Sequence, residues 1–170
     1  MTYNDMLRIA MEQSAEDLGC KADDFTKTCN VIVPYNLGKN ARKYLKLPIT
    51  ANLYLPSWSN ALCEKRKELD VLGVGAYDGA KLVGLAACSA DCDTMWQIGV
   101  DVLPEYRKRG LASSLTSVLA KEIIKRGKVP FYCCAWSNIR SARNAIRSGF
   151  VPSWAEFTIK PSDIVDEMNR

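Results

Sequence analysis

Between residues 70 and 103 strand-like runs follow one another so closely that only an antiparallel meander can absorb them. Val71-Leu72-Gly73-Val74-Gly75-Ala76-Tyr77 is one run of strand length. Asp78-Gly79 follows, a pair that tolerates the positive φ of a tight hairpin, and Lys81 to Cys88 reads as the return strand. A short polar loop, Ser89 to Thr94, leads into a third strand from Met95 to Leu103. There Trp96, Ile98, Val100 and Val102 alternate with Gln97, Gly99 and Asp101, the period of a half-buried strand. Pro104 ends it.

The period then changes. Leu111, Leu115, Val118, Leu119 and Ile123 fall on one face of a helix opening after Gly110. Lys125 and Arg126 suit its last turn, and Gly127 can cap it. Phe131 to Trp136 predicts a buried strand. Ser137 or Asn138 can cap a short helix ending at Gly149, and Trp154 to Lys160 predicts a final strand. A hairpin feeding a strand–helix–strand unit implies an α+β or mixed α/β fold. Its twisted mixed sheet would be mostly antiparallel, with helices on both faces.

The first third is less regular. Met6, Leu7, Ala10, Met11, Ala15 and Leu18 predict a helix over 3–18 that Gly19 can stop. Asn30 to Val33 predicts a short strand, and Lys39, Arg42, Lys43 and Lys46 a short helix with a solvated basic face. Leu47 to Pro56 predicts a strand between prolines, and Ser57 to Glu68 a helix. The stretch from Leu47 to Tyr54 looks compressed, as if a longer segment were missing there.

With 170 residues, 48% of them hydrophobic, the chain fits one domain with or without a small appendage. No apolar run approaches a membrane span, and an amphipathic helix rather than a signal segment opens the chain, so a cytoplasmic location is expected. The net charge of +4 suits an anionic ligand. It is modest for a nucleic-acid binder, and no nucleic-acid-binding fold signature accompanies it. The seven cysteines form no CxxC pair, which argues against zinc, and most lie in apolar stretches. There are no histidines, which excludes a Ser-His-Asp triad, a Cys-His dyad and nearly all catalytic zinc sites.

Chemistry concentrates in one segment, Val100-Asp101-Val102-Leu103-Pro104-Glu105-Tyr106-Arg107-Lys108-Arg109-Gly110-Leu111-Ala112. A strand stops at a proline, three basic residues follow, and a helix opens at Gly-Leu-Ala. The first turn of a helix presents free N–H groups and a positive dipole end, a ready site for a phosphate or pyrophosphate. No Gly-Lys-Ser/Thr follows, so this is not a nucleotide P-loop. Gly73, Gly75 and Gly79 lie in a strand and a hairpin, so they are not a dinucleotide fingerprint.

This segment, continued through Ser113 to Ile123, resembles the cofactor-binding motif of the GNAT superfamily of acyl-CoA N-acyltransferases, Arg/Gln-x-x-Gly-x-Gly/Ala after a strand ending in Val-x-Pro. Asn138-Ile139-Arg140-Ser141-Ala142-Arg143-Asn144-Ala145-Ile146-Arg147-Ser148-Gly149-Phe150 resembles the family's Asn-led helix. The resemblance covers about residues 57–160. It divides the chain into an N-terminal segment, 1–50, and an acetyltransferase domain, 51–170.

The resemblance implies a GNAT-like sheet and transfer of an acetyl group from acetyl-CoA to an amine in a ternary complex, without a metal. The acceptor would be a small molecule, a peptide or a protein, and a homodimer is left open. The implied cofactor-binding residues are Val100, Asp101, Val102 and Leu103 for the pantetheine arm. Arg107, Lys108, Arg109, Gly110, Leu111, Ala112 and Ser113 would take the pyrophosphate, and Asn138 the arm near the next strand. The Val102 N–H would face the thioester oxygen and stabilise the oxyanion.

The chain also departs from the family. The family's usual acid is a Tyr seven residues after the Asn, where this chain has Ala145, or a Glu five before it, where this chain has Cys133. Tyr132 and Cys134 are the replacement candidates taken furthest, with Asp101, Asp93 and Glu64 behind them. Trp58, Trp96, Trp136 and Trp154 are candidate walls of an acceptor pocket, or plain core. A CoA-binding module without catalysis is the competing reading.

Overall fold

The structure is a computed structural model and describes residues 1–18, 44–47 and 53–156. The elements are α1 (Tyr3–Leu18), β1 (Tyr44–Leu47), β2 (Asp70–Asp78), β3 (Lys81–Ser89), β4 (Met95–Val102), α2 (Leu111–Lys125), β5 (Val129–Phe131) and α3 (Ile139–Arg147). The strands form one sheet in the order β1-β2-β3-β4-β5. The first three pairings are antiparallel and β4–β5 is parallel, the mixed, mostly antiparallel sheet expected.

The hairpin turns where Asp78-Gly79 predicts it. Asp78 pairs with Lys81, and Gly79 alone takes the positive φ, 58°. α2 covers one sheet face. Leu115, Leu119 and Ile123 are fully buried there against Val74, Ala86, Cys88 and Ile98, each worth about 1.5–3 kcal/mol of burial. The helix ends in a Schellman motif: Gly127 N–H donates to the Ile124 carbonyl and Lys128 N–H to the Ile123 carbonyl, with Gly127 at φ 72°. The other face carries two groups. Leu85 and Ala87 pack under Trp58, Ala61 and Leu62, and Ala10 of α1 packs with Met95 and Val129. α1 opens on a capping box, Thr2 Oγ1 accepting from the Asp5 N–H while Asp5 Oδ2 accepts from the Thr2 N–H.

Four local expectations are corrected. Residues 44–47 are strand rather than the end of a helix, because the free edge of β2 at Gly73–Ala76 takes them as a partner; sheet pairing overrides local spacing. The helix expected over 57–68 is two 3₁₀ turns, Pro56–Trp58 and Glu64–Arg66. Between them the Asp101 carboxylate takes the backbone N–H of Asn60 and shares that of Ala61 with the Trp58 carbonyl. The strand expected over 131–136 is Val129–Phe131, since its pairing with β4 stops at Gln97, and Trp136 is 89% exposed. Residues 154–156 are not strand. The remainder of that expected strand, the strand at 30–33, the start of the 39–46 helix and the compressed stretch at 48–52 lie outside the described residues.

Candidate active site

One cleft of about 1070 Å³ gathers the C-terminal half of β4, the loop to α2, the first turn of α2, residues 132–134 after β5, and one side of α3. Its shape follows from the β-ladder. The Leu103 N–H donates to the Val83 carbonyl at 3.0 Å, and Gly84 stands opposite Val102. In an antiparallel ladder hydrogen-bonded and non-bonded pairs alternate. Leu103, Asp101 and Gly99 therefore bond to β3, and Val102, Val100 and Ile98 turn their N–H and C=O groups to the β5 side. Beyond the Gln97–Phe131 pair β5 has no strand to meet them. The sheet parts there, leaving backbone donors and acceptors along the cleft. The Val102 carbonyl accepts from Arg107 Nε at 2.9 Å, which ties the following loop to the strand.

That loop is braced from the hairpin tip. Tyr106 donates its hydroxyl to Asp78 Oδ2 at 2.8 Å, and Lys81 pairs with Glu105 at 3.0 Å. The Tyr106 hydroxyl is held above the ordinary tyrosine pKa, chiefly by its bond to Asp78. Lys108 takes φ 60° and Gly110 φ 78°, left-handed conformations that turn the chain into the helix. Gly110 is the N-cap, and no side chain caps the helix. The first intrahelical bond runs from the Ser114 N–H to the Gly110 carbonyl. The amides of Leu111, Ala112 and Ser113 thus open on the cleft with the positive end of the dipole behind them.

Of the expected residues, Val100, Asp101, Val102, Arg107, Lys108, Gly110, Leu111, Ala112, Ser113, Tyr132, Cys134 and Asn138 all line this cleft. Two do not. Leu103 spends its N–H on β3 and its side chain against the Trp58 cluster, and the Arg109 guanidinium lies over the Tyr106 ring at 5.5 Å. Asp101 turns out to be a clamp: Oδ2 accepts from the Asn60 and Ala61 N–H groups, Oδ1 from Asn60 Nδ2. Asn138 Oδ1 caps α3 by accepting from the Ser141 N–H at 3.1 Å.

None of the four tryptophans lines the cleft, nor do Asp93 and Glu64. Trp58 is core, and Trp154 stacks on Phe131.

Tyr132 is half-buried. Its hydroxyl is 3.0 Å from Ser141 Oγ and accepts from Asn144 Nδ2 at 3.3 Å, while Asn144 also bonds Thr116. Ser141 and Ala145 stand one turn apart on α3. The Tyr132 hydroxyl therefore reaches the helix beside the position where the resemblance expects a tyrosine. Cys133 receives a bond from Gln97 Nε2 at 3.2 Å, and burial raises its thiol pKa, with Cys134 and Glu156 adding to it. Sequence reasoning missed Asn60, Asn144 and the arginines of α3. A helical wheel from Asn138 would have aligned Arg140, Arg143 and Arg147.

Among the described residues no cluster of His, Cys, Asp or Glu could hold a metal ion, and no helix is long and apolar enough to cross a membrane.

Comparison with solved structures finds the same fold. The aminoglycoside N-acetyltransferase AAC(6')-Iy, in complex with CoA, aligns at TM-score 0.52 and 18% identity, over 70% of this chain and 98% of that one. AAC(6')-Ih from Acinetobacter baumannii aligns equally, at TM-score 0.52, 18% identity and the same coverage. A GNAT-family protein from Novosphingobium aromaticivorans aligns at TM-score 0.51 and 21% identity, over 65% of this chain and 52% of that one. No curated protein sequence matches. The sequence model of the GNAT acetyltransferase family matches residues 46–155, more than half of the chain and the whole of the cleft. The chain belongs to the GNAT acetyltransferase family, a family of acyltransferases.

Proposed function

We propose that the chain transfers an acetyl group from acetyl-CoA to a primary amine by direct attack in a ternary complex. The observation that carries this is the single cleft in which the uncapped amides of α2 adjoin the β4 edge freed by the parting of β4 and β5. The amides of Lys108 to Ser113, with the Lys108 ammonium, would hold the pyrophosphate. The β5-side groups of Val100 would pair with the amides of the pantetheine arm. Bound there, acetyl-CoA supplies an activated thioester. The Val102 N–H would polarise its carbonyl.

Tyr132 is the group best placed to protonate the departing thiolate. Its hydroxyl is oriented by Ser141 and Asn144 and lines the cleft beside Ala145. Cys134 also lines the cleft, with an exposed thiol. Both carboxylates that line the cleft are spent, Asp101 on Asn60 and Ala61 and Asp70 on Tyr54, so neither is free to pair with the acceptor ammonium.

Calorimetric titration with acetyl-CoA and desulfo-CoA tests the donor site. Saturable heat and a thermal shift are expected with both; neither signal with either ligand overturns the reading. Ala145 in the place of the usual acid motivates a second reading, a CoA-binding module without catalysis. That module would bind CoA and leave acetyl-CoA intact in the presence of a broad panel of amines.

A further inference from the structure

We propose that Arg140, Arg143 and Arg147 of α3 form a second anion site in the cleft that binds the ribose 3′-phosphate of coenzyme A. The spacing of three and then four residues places them along one side of the helix, and all three line the cleft. None makes a salt bridge or a side-chain hydrogen bond among the described residues. Four other cations around the sheet do: Lys81 with Glu105, Arg66 with Asp91, and Lys125 and Arg126 with Glu122. Three exposed like charges on one short helix repel one another, so the arrangement is relieved when an anion sits among them.

The stripe is also in the right place. The C-terminal end of α3 is fastened to the mouth of α2. Ser148 Oγ donates to the Ser113 carbonyl at 3.2 Å, and Ser117 Oγ donates to the Ser148 carbonyl at 3.1 Å. Asn144 adds its bond to Thr116. Arg147 therefore stands beside the first turn of α2, and the other two extend the positive surface from there. A ligand whose diphosphate occupies the α2 amides and whose second phosphate hangs from the same ribose meets this stripe.

The chemistry matches a phosphate monoester. It carries about −1.5 to −2 charge near pH 7 and three acceptor oxygens, which planar guanidinium groups meet with paired hydrogen bonds. The diphosphate has its own partners in the helix mouth and Lys108. The α3 arginines are the cationic groups of the cleft left over for the additional phosphate.

This inference rests on coenzyme A being the donor, and the experiment separates the two. Dissociation constants for CoA and 3′-dephospho-CoA are measured by calorimetry on the wild-type chain, on Arg140→Gln, Arg143→Gln and Arg147→Gln singly, and on the triple variant. Glutamine keeps helix propensity at these exposed positions, and far-UV dichroism checks folding. The wild type is expected to prefer CoA by about tenfold or more. Each single variant should lose part of that preference and the triple all of it, with dephospho-CoA affinity held within about twofold. The single variants keep the test decisive if the triple does not fold. Equal wild-type affinity for both ligands, or a preference that survives in the variants, overturns the site. Variants that change only the KM of an acidic acceptor overturn it as well. Binding of neither ligand to the wild type refutes the donor reading instead.

Discussion

Asp101 of β4 and Asn60, 41 positions earlier in the chain, are joined twice: the Asn60 N–H donates to Oδ2 at 2.8 Å and its Nδ2 to Oδ1 at 2.7 Å. A further bond from the Ala61 N–H, at 2.9 Å, completes a clamp that pins the 59–62 turn across β4 beside the cleft. Asp101→Ala leaves the Asn60 N–H and Nδ2 without their acceptor, while the Ala61 N–H keeps its bond to the Trp58 carbonyl, and should cost about 2 kcal/mol, read as a lower Tm. An unchanged Tm would show that the clamp is idle.

Gly99 makes that close approach feasible. A Cβ there would stand 1.9 Å from the Asn60 carbonyl oxygen, a backbone atom that cannot swing aside as a side chain could. Gly99→Ala should therefore cost about 3 kcal/mol. Combined with Asp101→Ala it should cost less than the sum of the two, because either change already releases the same turn. Full additivity in denaturant titrations would count against the coupling.

Tyr132→Phe removes the hydroxyl and leaves the ring against Phe150, 5.7 Å between centroids. With a reactive amine acceptor, kcat should fall roughly a hundredfold while the KM for acetyl-CoA stays within about twofold. Cys134→Ser should keep kcat within about twofold. The reverse ranking would move the acid role to the thiol.

Gly110 holds φ 78° at the mouth of α2. Alanine there would be strained by about 1–2 kcal/mol and would tilt the first amides off the cleft. Gly110→Ala should therefore weaken CoA binding more than it lowers stability, with calorimetry and thermal melting compared on the same samples. Unaltered CoA affinity would place the cofactor elsewhere.

The Tyr54 hydroxyl donates to Asp70 Oδ2 at 2.9 Å, and its pKa is pushed up to about 12, first by burial and then by that bond. A raised folded-state pKa favours the protonated form in the native state. The stabilisation is full below about pH 10, the unfolded value, and is lost as pH climbs toward 12. Tyr54→Phe should be less stable than wild type at neutral pH by about 1 kcal/mol, with the gap closing over that alkaline range. A gap constant from pH 8 to 12 would remove the linkage.

The meander, α2 and α3 are readable in the sequence because their signals are local. Alternation in β4, the Asp78-Gly79 turn, the apolar stripe of α2 and the caps Asn138 and Gly127 all act within a few residues of themselves. The pyrophosphate cradle is legible for the same reason: strand end, basic loop and helix start are contiguous. The 44–47 strand and the 57–68 turns are not, because their structure is imposed by distant partners, the edge of β2 in one case and Asp101 in the other. A helical pattern has no means of recording that a carboxylate far along the chain will take two of its N–H groups.

By itself, then, the order of residues determined the architecture and the mouth of α2, since hydrophobic period and turn chemistry are properties of neighbours. Only the tertiary structure decided the cleft. Where β4 and β5 separate, which edge of β4 Val102 faces, how Tyr132 arrives beside Ala145, and which ring and cluster draw Arg109 and Leu103 away depend on elements meeting in space. Such contacts are set by packing and ladder register between segments far apart in the chain.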